Sequence, residues 1–338
     1  MSTRNSIDDS LQVELKEEPR RGPTTATLAW VRRQRAFPAF IGAFLVWVAT
    51  ATLAGHGGFA TLTSGISIGT FLLFVGIGQM FVITTGNGGI DLSVPYVMTL
   101  SAYLTSSIMA GKNSNLLLAL VAAIVIGLAI GIINIILIEL VAMPPIIATL
   151  AVGFVIQSGT LVISGAHPGM PSPALVSFVI GRVGPIPVLV ILGIVVTIIS
   201  TLVLTRTSYG RSVLAVGQSL PAARLAGVKY LRVRAIAFLI SSVAAALSGV
   251  LLAGYAGGPS LTMGTAYQLS SIAVVVLGGS LIVGGLSNVP GIWAATLLLT
   301  LLITLVNVAH LGAGMQDISQ GVLIVLVLTV GGTRKQRA

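Results

Sequence analysis

"NLLLALVAAIVIGLAIGIINIILIE", Asn115 to Glu139, carries one charge, at its last residue, and two amides, Asn115 and Asn134. About 20 mostly apolar residues cross the hydrocarbon core of a bilayer as a helix, so this run reads as a membrane span. Gly127-x-x-x-Gly131 within it suits a close helix contact, because helices in lipid pack through small residues.

The rest of the chain agrees with that stretch. Its 338 residues are 55% hydrophobic and 8% charged, with a mean hydropathy of +1.04. A soluble domain carries roughly 25% charged residues to cover its surface. The solvent of this chain is therefore largely lipid. Without cysteine there is no disulfide framework and no thiolate site. The net charge of +10 reads as membrane orientation rather than nucleic-acid binding, because the basic residues cluster beside apolar runs.

Runs of span length fall near 36–54, 63–85, 92–110, 115–139, 144–163, 186–205, 233–256, 268–283, 288–309 and 315–331. The eighth and tenth are short, which sets a range of eight to ten with ten preferred. The fold class is an all-α polytopic membrane protein of about ten transmembrane helices. Basic residues test the count, since they favour the cytoplasmic side. With ten spans and both termini cytoplasmic, residues 1–35, the 206–234 stretch and the C-terminus hold sixteen of the eighteen basic residues inside. Only Lys112 and Arg182 fall outside.

Residues 1–35 hold five of the eight acids and few apolar residues, and read as a mostly disordered cytoplasmic tail. Residues 36–331 form the membrane domain, with a cytoplasmic loop at 206–232, and 332–338 form a basic cytoplasmic tail.

Little in the apolar part titrates. Asp91, Glu139 and Asp317 are the acids beyond the N-terminal tail, and His56, His167 and His310 also sit near span ends. An ion-coupled carrier places ionisable groups within its spans, and no such series is present. No phosphate-cradling Gly-x-x-x-x-Gly-Lys motif occurs around any of the four lysines. Neither catalytic residues nor a metal site are expected, and the chain carries no cofactor of its own.

Three features stand out. In "GNGGIDLSVP" (86–95), Gly86, Gly88 and Gly89 break a helix and Pro95 suits the first turn of the next. Irregular backbone at membrane depth persists only under cover of protein or a water-filled path. Asp91, with Ser93 beside it, either accepts hydrogen bonds from the freed backbone in a gate element or caps the third span at the cytoplasmic surface. "GGLSNVPG" (284–291) echoes 88–95, as an internal repeat or as a second glycine turn of independent origin. The amides Gln79, Asn134, Gln157 and Asn307 either bond neighbouring helices or face a wet path.

The third is "GQSLPAARLAG" (217–227), inside a stretch 206–234 with six basic residues. Ser219 suits an N-cap, Pro221 a first turn and Gly227 an exit, leaving a helix of about two turns. Ala222, Ala223, Leu225 and Ala226 offer a small apolar surface, and Arg224 a partner for an acid. Read from residues alone, the stretch is a docking knob or a surface helix that fixes topology.

Four blocks in order resemble the permease subunits of bacterial ABC sugar importers of the ribose/arabinose/xylose/galactose type. They are "GNGGIDLSVPYVMTLSAY", "GIINIILIELVAMPPIIATLAVGFVIQS", "VLAVGQSLPAARLAGVKYLRVR" and "YQLSSIAVVVLGGSLIVGGLSNVPG". The resemblance implies an inner-membrane translocation subunit for a monosaccharide or similar small polar solute. Its implied partners are a second permease subunit (identical or not), a cytoplasmic ABC ATPase that binds ATP and Mg, and an extracytoplasmic sugar-binding protein. It implies ATPase coupling through Gly217, Ser219, Pro221, Ala222, Ala223, Arg224, Leu225 and Gly227. It implies a gate or pathway among Gly88, Gly89, Asp91, Ser93, Asn134, Gln157 and Asn307. The chain departs from the family pattern at Leu220-Pro221 and Ser270, where acids are common, and at Pro95, where glycine is usual. The alternative is a carrier or channel that works alone.

Overall fold

The computed structural model describes residues 37–55, 58–166 and 169–310, and single residues between 312 and 325. The N-terminal tail, His56, His167, Asp317, the C-terminal tail and most of the tenth expected span lie outside the described residues.

Apolar runs without a polar face become helices on every side of which lipid or another helix is acceptable. α1 (Phe37–Ala54), α2 (Gly58–Thr84), α3 (Val94–Met109), α4 (Leu116–Glu139) and α5 (Pro145–Ala166) follow in order. A short α6 (Pro173–Ile180) and a two-residue hairpin, β1 (Arg182–Val183) with β2 (Ile186–Pro187), lead into α7 (Val188–Arg206). α8 (Ser208–Gln218) and α9 (Leu220–Leu225) precede α10 (Tyr230–Ala256), α11 (Tyr267–Leu277) and α12 (Val289–Val308). Among the described residues, six helices are long and apolar enough to cross a membrane: α2, α4, α5, α7, α10 and α12. The protein is an all-α polytopic membrane protein.

α2 and α10 form the centre. Most of α2 is buried, and α10 packs against α2, α3 and α4. Small residues set these contacts. A Cβ at Gly127 would lie 2.6 Å from the Val243 Cα, and one at Gly131 3.0 Å from the Leu239 Cα. The glycine pair in the opening stretch is thus the face that α4 turns to α10. Outward faces of α4 and α7 stay apolar and exposed, with Val125, Ile132, Ile198 and Leu202 on them, as lipid requires.

One expected span is corrected. Residues 268–283 do not form a continuous helix. α11 covers only Tyr267–Leu277, and turns follow through Gly279, Gly284 and Gly285, all at positive φ. The missing length lies before it, in 257–266. A Cβ on Gly264 would lie 2.0 Å from the Pro95 carbonyl oxygen. Pro95 falls between Asp91, which bonds Ser241 of α10, and Met98, whose carbonyl touches Gly249 of α10. At 1.5 Å per residue, Gly264 has therefore come back about 16 Å from the end of α10.

Candidate functional site

Between α2 and α3 the helix stops. Gly86 and Gly88 take φ of +71 and +70, and Asn87 takes +53, a left-handed run that ends helical hydrogen bonding. Several of the backbone groups so released find side chains. The Gln79 amide faces the Asp91 main chain, donating to its carbonyl and accepting its N–H at 3.2 Å each. Thr149 of α5 accepts from Leu92 N–H at 3.0 Å and donates its own proton to the Pro145 carbonyl at 2.9 Å, with the Ile90 carbonyl 3.4 Å away. Asp91 accepts from the Ser93 N–H at 3.0 Å, from Ser93 Oγ at 2.6 Å and from Ser241 Oγ at 2.8 Å. Asn134 of α4 donates to Ser93 Oγ at 2.9 Å.

Six side chains from five places in the chain thus close over one break. Gln79, Asp91, Ser93, Asn134, Thr149 and Ser241 are all buried. Asp91 is 1% exposed and level with Ser241, about 16 Å into α10. Asp91 is thus sealed inside the protein, where it accepts from the N–H two residues on. Gln79 and Asn134 likewise bond neighbouring segments.

The second break, between α11 and α12, is built alike. Its helix also carries proline in the first turn, and Asn288 caps it by accepting from Gly291 N–H at 3.3 Å. Asn288 also donates to the Gly278 carbonyl at 2.9 Å. The two breaks meet. Gly285 N–H donates to the Thr84 carbonyl at 2.9 Å, the Thr84 and Ser287 hydroxyls share a hydrogen bond, and a Cβ on Gly284 would sit 2.4 Å from the Gly86 Cα.

The end of α8 enters the same point. A Cβ on Gly217 would lie 1.9 Å from the Thr84 carbonyl oxygen and 2.3 Å from the Gly285 nitrogen. Gln218 Nε2 donates to the Gly285 carbonyl at 3.2 Å. Gly217 is therefore a joint at the breaks rather than part of the α9 surface.

Beyond that joint, Ser219 caps α9 by accepting from Ala222 N–H at 3.4 Å. Pro221 sits in the first turn, and Gly227 takes φ of +78 at the exit. The expected helix 219–226 is six residues long, Leu220–Leu225. Ala223 is corrected: it is buried against Val213, Val216 and Val233 and offers no outward surface. Leu225, at 92% exposed, does. Arg224 stacks on the Tyr230 ring, 4.2 Å from its centroid.

Arg224 also lines a cavity of about 370 Å³ with Asn87, Met143, Leu220, Arg234 and Glu139. Arg234 pairs with Glu139 at the end of α4, and Tyr230 donates to the same carboxylate at 3.2 Å. The Glu139–Arg234 pair, 95 residues apart, has no signature in sequence. Of the remaining candidates, Gln157 is exposed on α5, and Asn307 is exposed near the end of α12, away from the buried cluster.

Two helix breaks sealed by side chains thus meet inside an apolar helical bundle, next to a short exposed helix. The family described as "Branched-chain amino acid transport system / permease component" matches residues 61–328, and the chain belongs to it. The ribose import permease protein RbsC of Escherichia coli (strain K12) is 30% identical over 77% of this chain and 81% of its own length. The autoinducer 2 import system permease protein LsrC of Yersinia enterocolitica is 30% identical over 80% of this chain and 75% of its own. The D-allose transport system permease protein AlsC of Escherichia coli (strain K12) is 28% identical over 76% and 79%. No solved structure gives a significant match. The chain is a multi-pass permease subunit of an ABC transporter in the bacterial inner membrane, and not an enzyme.

Proposed function

We propose that the chain moves a monosaccharide or similar small polar solute inward, driven by a separate ABC ATPase that binds the ATP and Mg. The permease relatives named for ribose, allose and autoinducer 2 import support that cargo class. The observation that carries the coupling is the continuous path from exposed Leu225, through capped α9 and the end of α8, to both helix breaks. A force applied to α9 acts on Gly217, which is in backbone contact with each break.

In this reading the ATPase receives Leu225 and Arg224, and a binding protein delivers solute from the other side. A second permease subunit, the same chain or a relative, completes the passage. Ten spans with both termini cytoplasmic place 206–232 on the ATPase side, in keeping with its basic residues. The breaks at 86–93 and 278–288 act as the gate, with Asp91 and Ser93 holding the first one shut.

The test is reconstitution in proteoliposomes with an ABC ATPase and a sugar-binding protein from the same cell. ATP-dependent uptake of radiolabelled ribose or allose is expected. Uptake that persists when the ATPase is omitted would instead mark a self-sufficient carrier.

A further inference from the structure

At the end of α4 the chain turns tightly into α5. The Val141 and Met143 N–H groups bond back to the Ile136 and Leu137 carbonyls at 3.2 and 3.1 Å, and Ala142 takes φ of +57. The turn carries apolar side chains outward, with Leu140, Val141, Ile146 and Ile147 all exposed. At the end of a membrane span such a surface is stable against acyl chains and not against water.

The same turn forms one wall of the 370 Å³ cavity, through Ala142, Met143, Pro144 and Pro145. That volume lies in the range of about 300–1,000 Å³ typical of small-molecule pockets. Arg224, Arg234 and Glu139 are the charged residues of its lining. Two guanidinium groups against one carboxylate leave one positive charge unmatched, and a buried charge is costly without a counter-charge.

Arg234 supplies an independent observation. It is 5% exposed. Its Nη1 is engaged by Glu139, whereas Nε and Nη2 have no hydrogen-bond partner among the described residues. Those two nitrogens share one edge of the guanidinium, the two-donor fork that matches a pair of phosphate oxygens. Arg224 stands at the rim, exposed but held over the Tyr230 ring. The Tyr230 hydroxyl is fixed in turn by Glu139. Charge narrows the ligand further. A phosphodiester carries one negative charge and balances the site, whereas a phosphomonoester carries about 1.5 to 2 at neutral pH. Basic pockets between spans on the cytoplasmic side take anionic lipid headgroups, and 206–234 makes this the basic end of the bundle.

We propose that this cavity holds the phosphate of an anionic phospholipid, bound by Arg234 and Arg224, with the acyl chains along Leu140, Val141, Ile146 and Ile147. Asn87 of the first break and Leu220 of α9 also line it. One headgroup therefore touches α9, the α4–α5 turn and a helix break at once. The site does not depend on which solute is carried.

The test uses the full chain, purified in detergent, stripped of lipid and titrated with phosphatidylglycerol, phosphatidylcholine or inorganic phosphate. Phosphatidylglycerol is expected to raise the melting temperature by several degrees and to stay bound in native mass spectra. Arg224→Gln is expected to weaken that retention several-fold. Glu139→Gln with Arg234→Gln removes the fork without leaving a lone buried charge, and is expected to abolish it. Arg211→Gln, an exposed charge on α8 outside the cavity lining, is expected to leave it unchanged. Equal stabilisation by phosphatidylcholine overturns the proposal, as does the full effect from inorganic phosphate alone. Equal losses from Arg224→Gln and Arg211→Gln overturn it too, since they mark general charge attraction. Release of the lipid when the ATPase binds would assign the cavity to an acidic group of that partner and also overturns it. If the double variant does not fold, Arg224→Gln against Arg211→Gln decides.

Discussion

Asp91 shows how one side chain holds a break in a helix. It receives three hydrogen bonds, one from a backbone N–H that cannot reverse its polarity. Asp91→Asn places an amide NH₂ among those donors, and a buried donor left unpaired costs about 1–3 kcal/mol. The variant is expected to melt at a lower temperature in detergent and to import more slowly. Normal melting and normal uptake would remove Asp91 from the gate. Glycines make a sharper contrast. Gly217→Ala must displace the Thr84 carbonyl, 1.9 Å from the new methyl, whereas Gly159 has nothing within 4 Å. Gly217→Ala is expected to abolish uptake or folded yield, and Gly159→Ala to leave both unchanged, measured by membrane expression and transport. Sequence singled out Asp91, Gln79 and Asn134 because polar residues are rare in apolar runs. It gave no indication that the three converge, since Asp91 meets Ser241 across 150 residues by tertiary packing alone.

At the scale of elements, α9 is readable from local rules. Ser219, Pro221 and Gly227 occupy cap, first turn and exit, as backbone chemistry dictates. Its solvent face was less readable, because six residues do not reveal which side α8 covers; Ala223 turned inward. Leu225→Ala leaves the fold intact, as Leu225 touches little of its own chain. The expected result is ATP hydrolysis by the assembled complex without solute uptake, read by phosphate release beside tracer influx. Normal coupling in that variant would exclude α9 as the contact. Segment 257–266 escaped sequence reading for a different reason. It has no charge and merges with an apolar run, so hydropathy alone extends the neighbouring span across it. Only Gly264 against Pro95 reveals the reversal.

For the molecule as a whole, the apolar runs placed the helices well, because hydrocarbon imposes a length that residue counting can read. α4, α5, α7, α10 and α12 lie where the runs lie. The orientation of the bundle follows from its charges and is testable directly. Lys112→Cys is expected to label from outside intact cells, and Arg211→Cys only after the cytoplasmic face is opened. Labelling of both from one side would break the ten-span arrangement. The meeting of Gly86, Gly217 and Gly285 carries a last consequence. Side chains absorb small displacements by changing rotamer, so contacts between them have play. Here three main chains bear on one another directly, with no rotamer between them. A hinge without play passes on the smallest shift undiminished, and for the same reason no one of its three members can change shape unless the other two move.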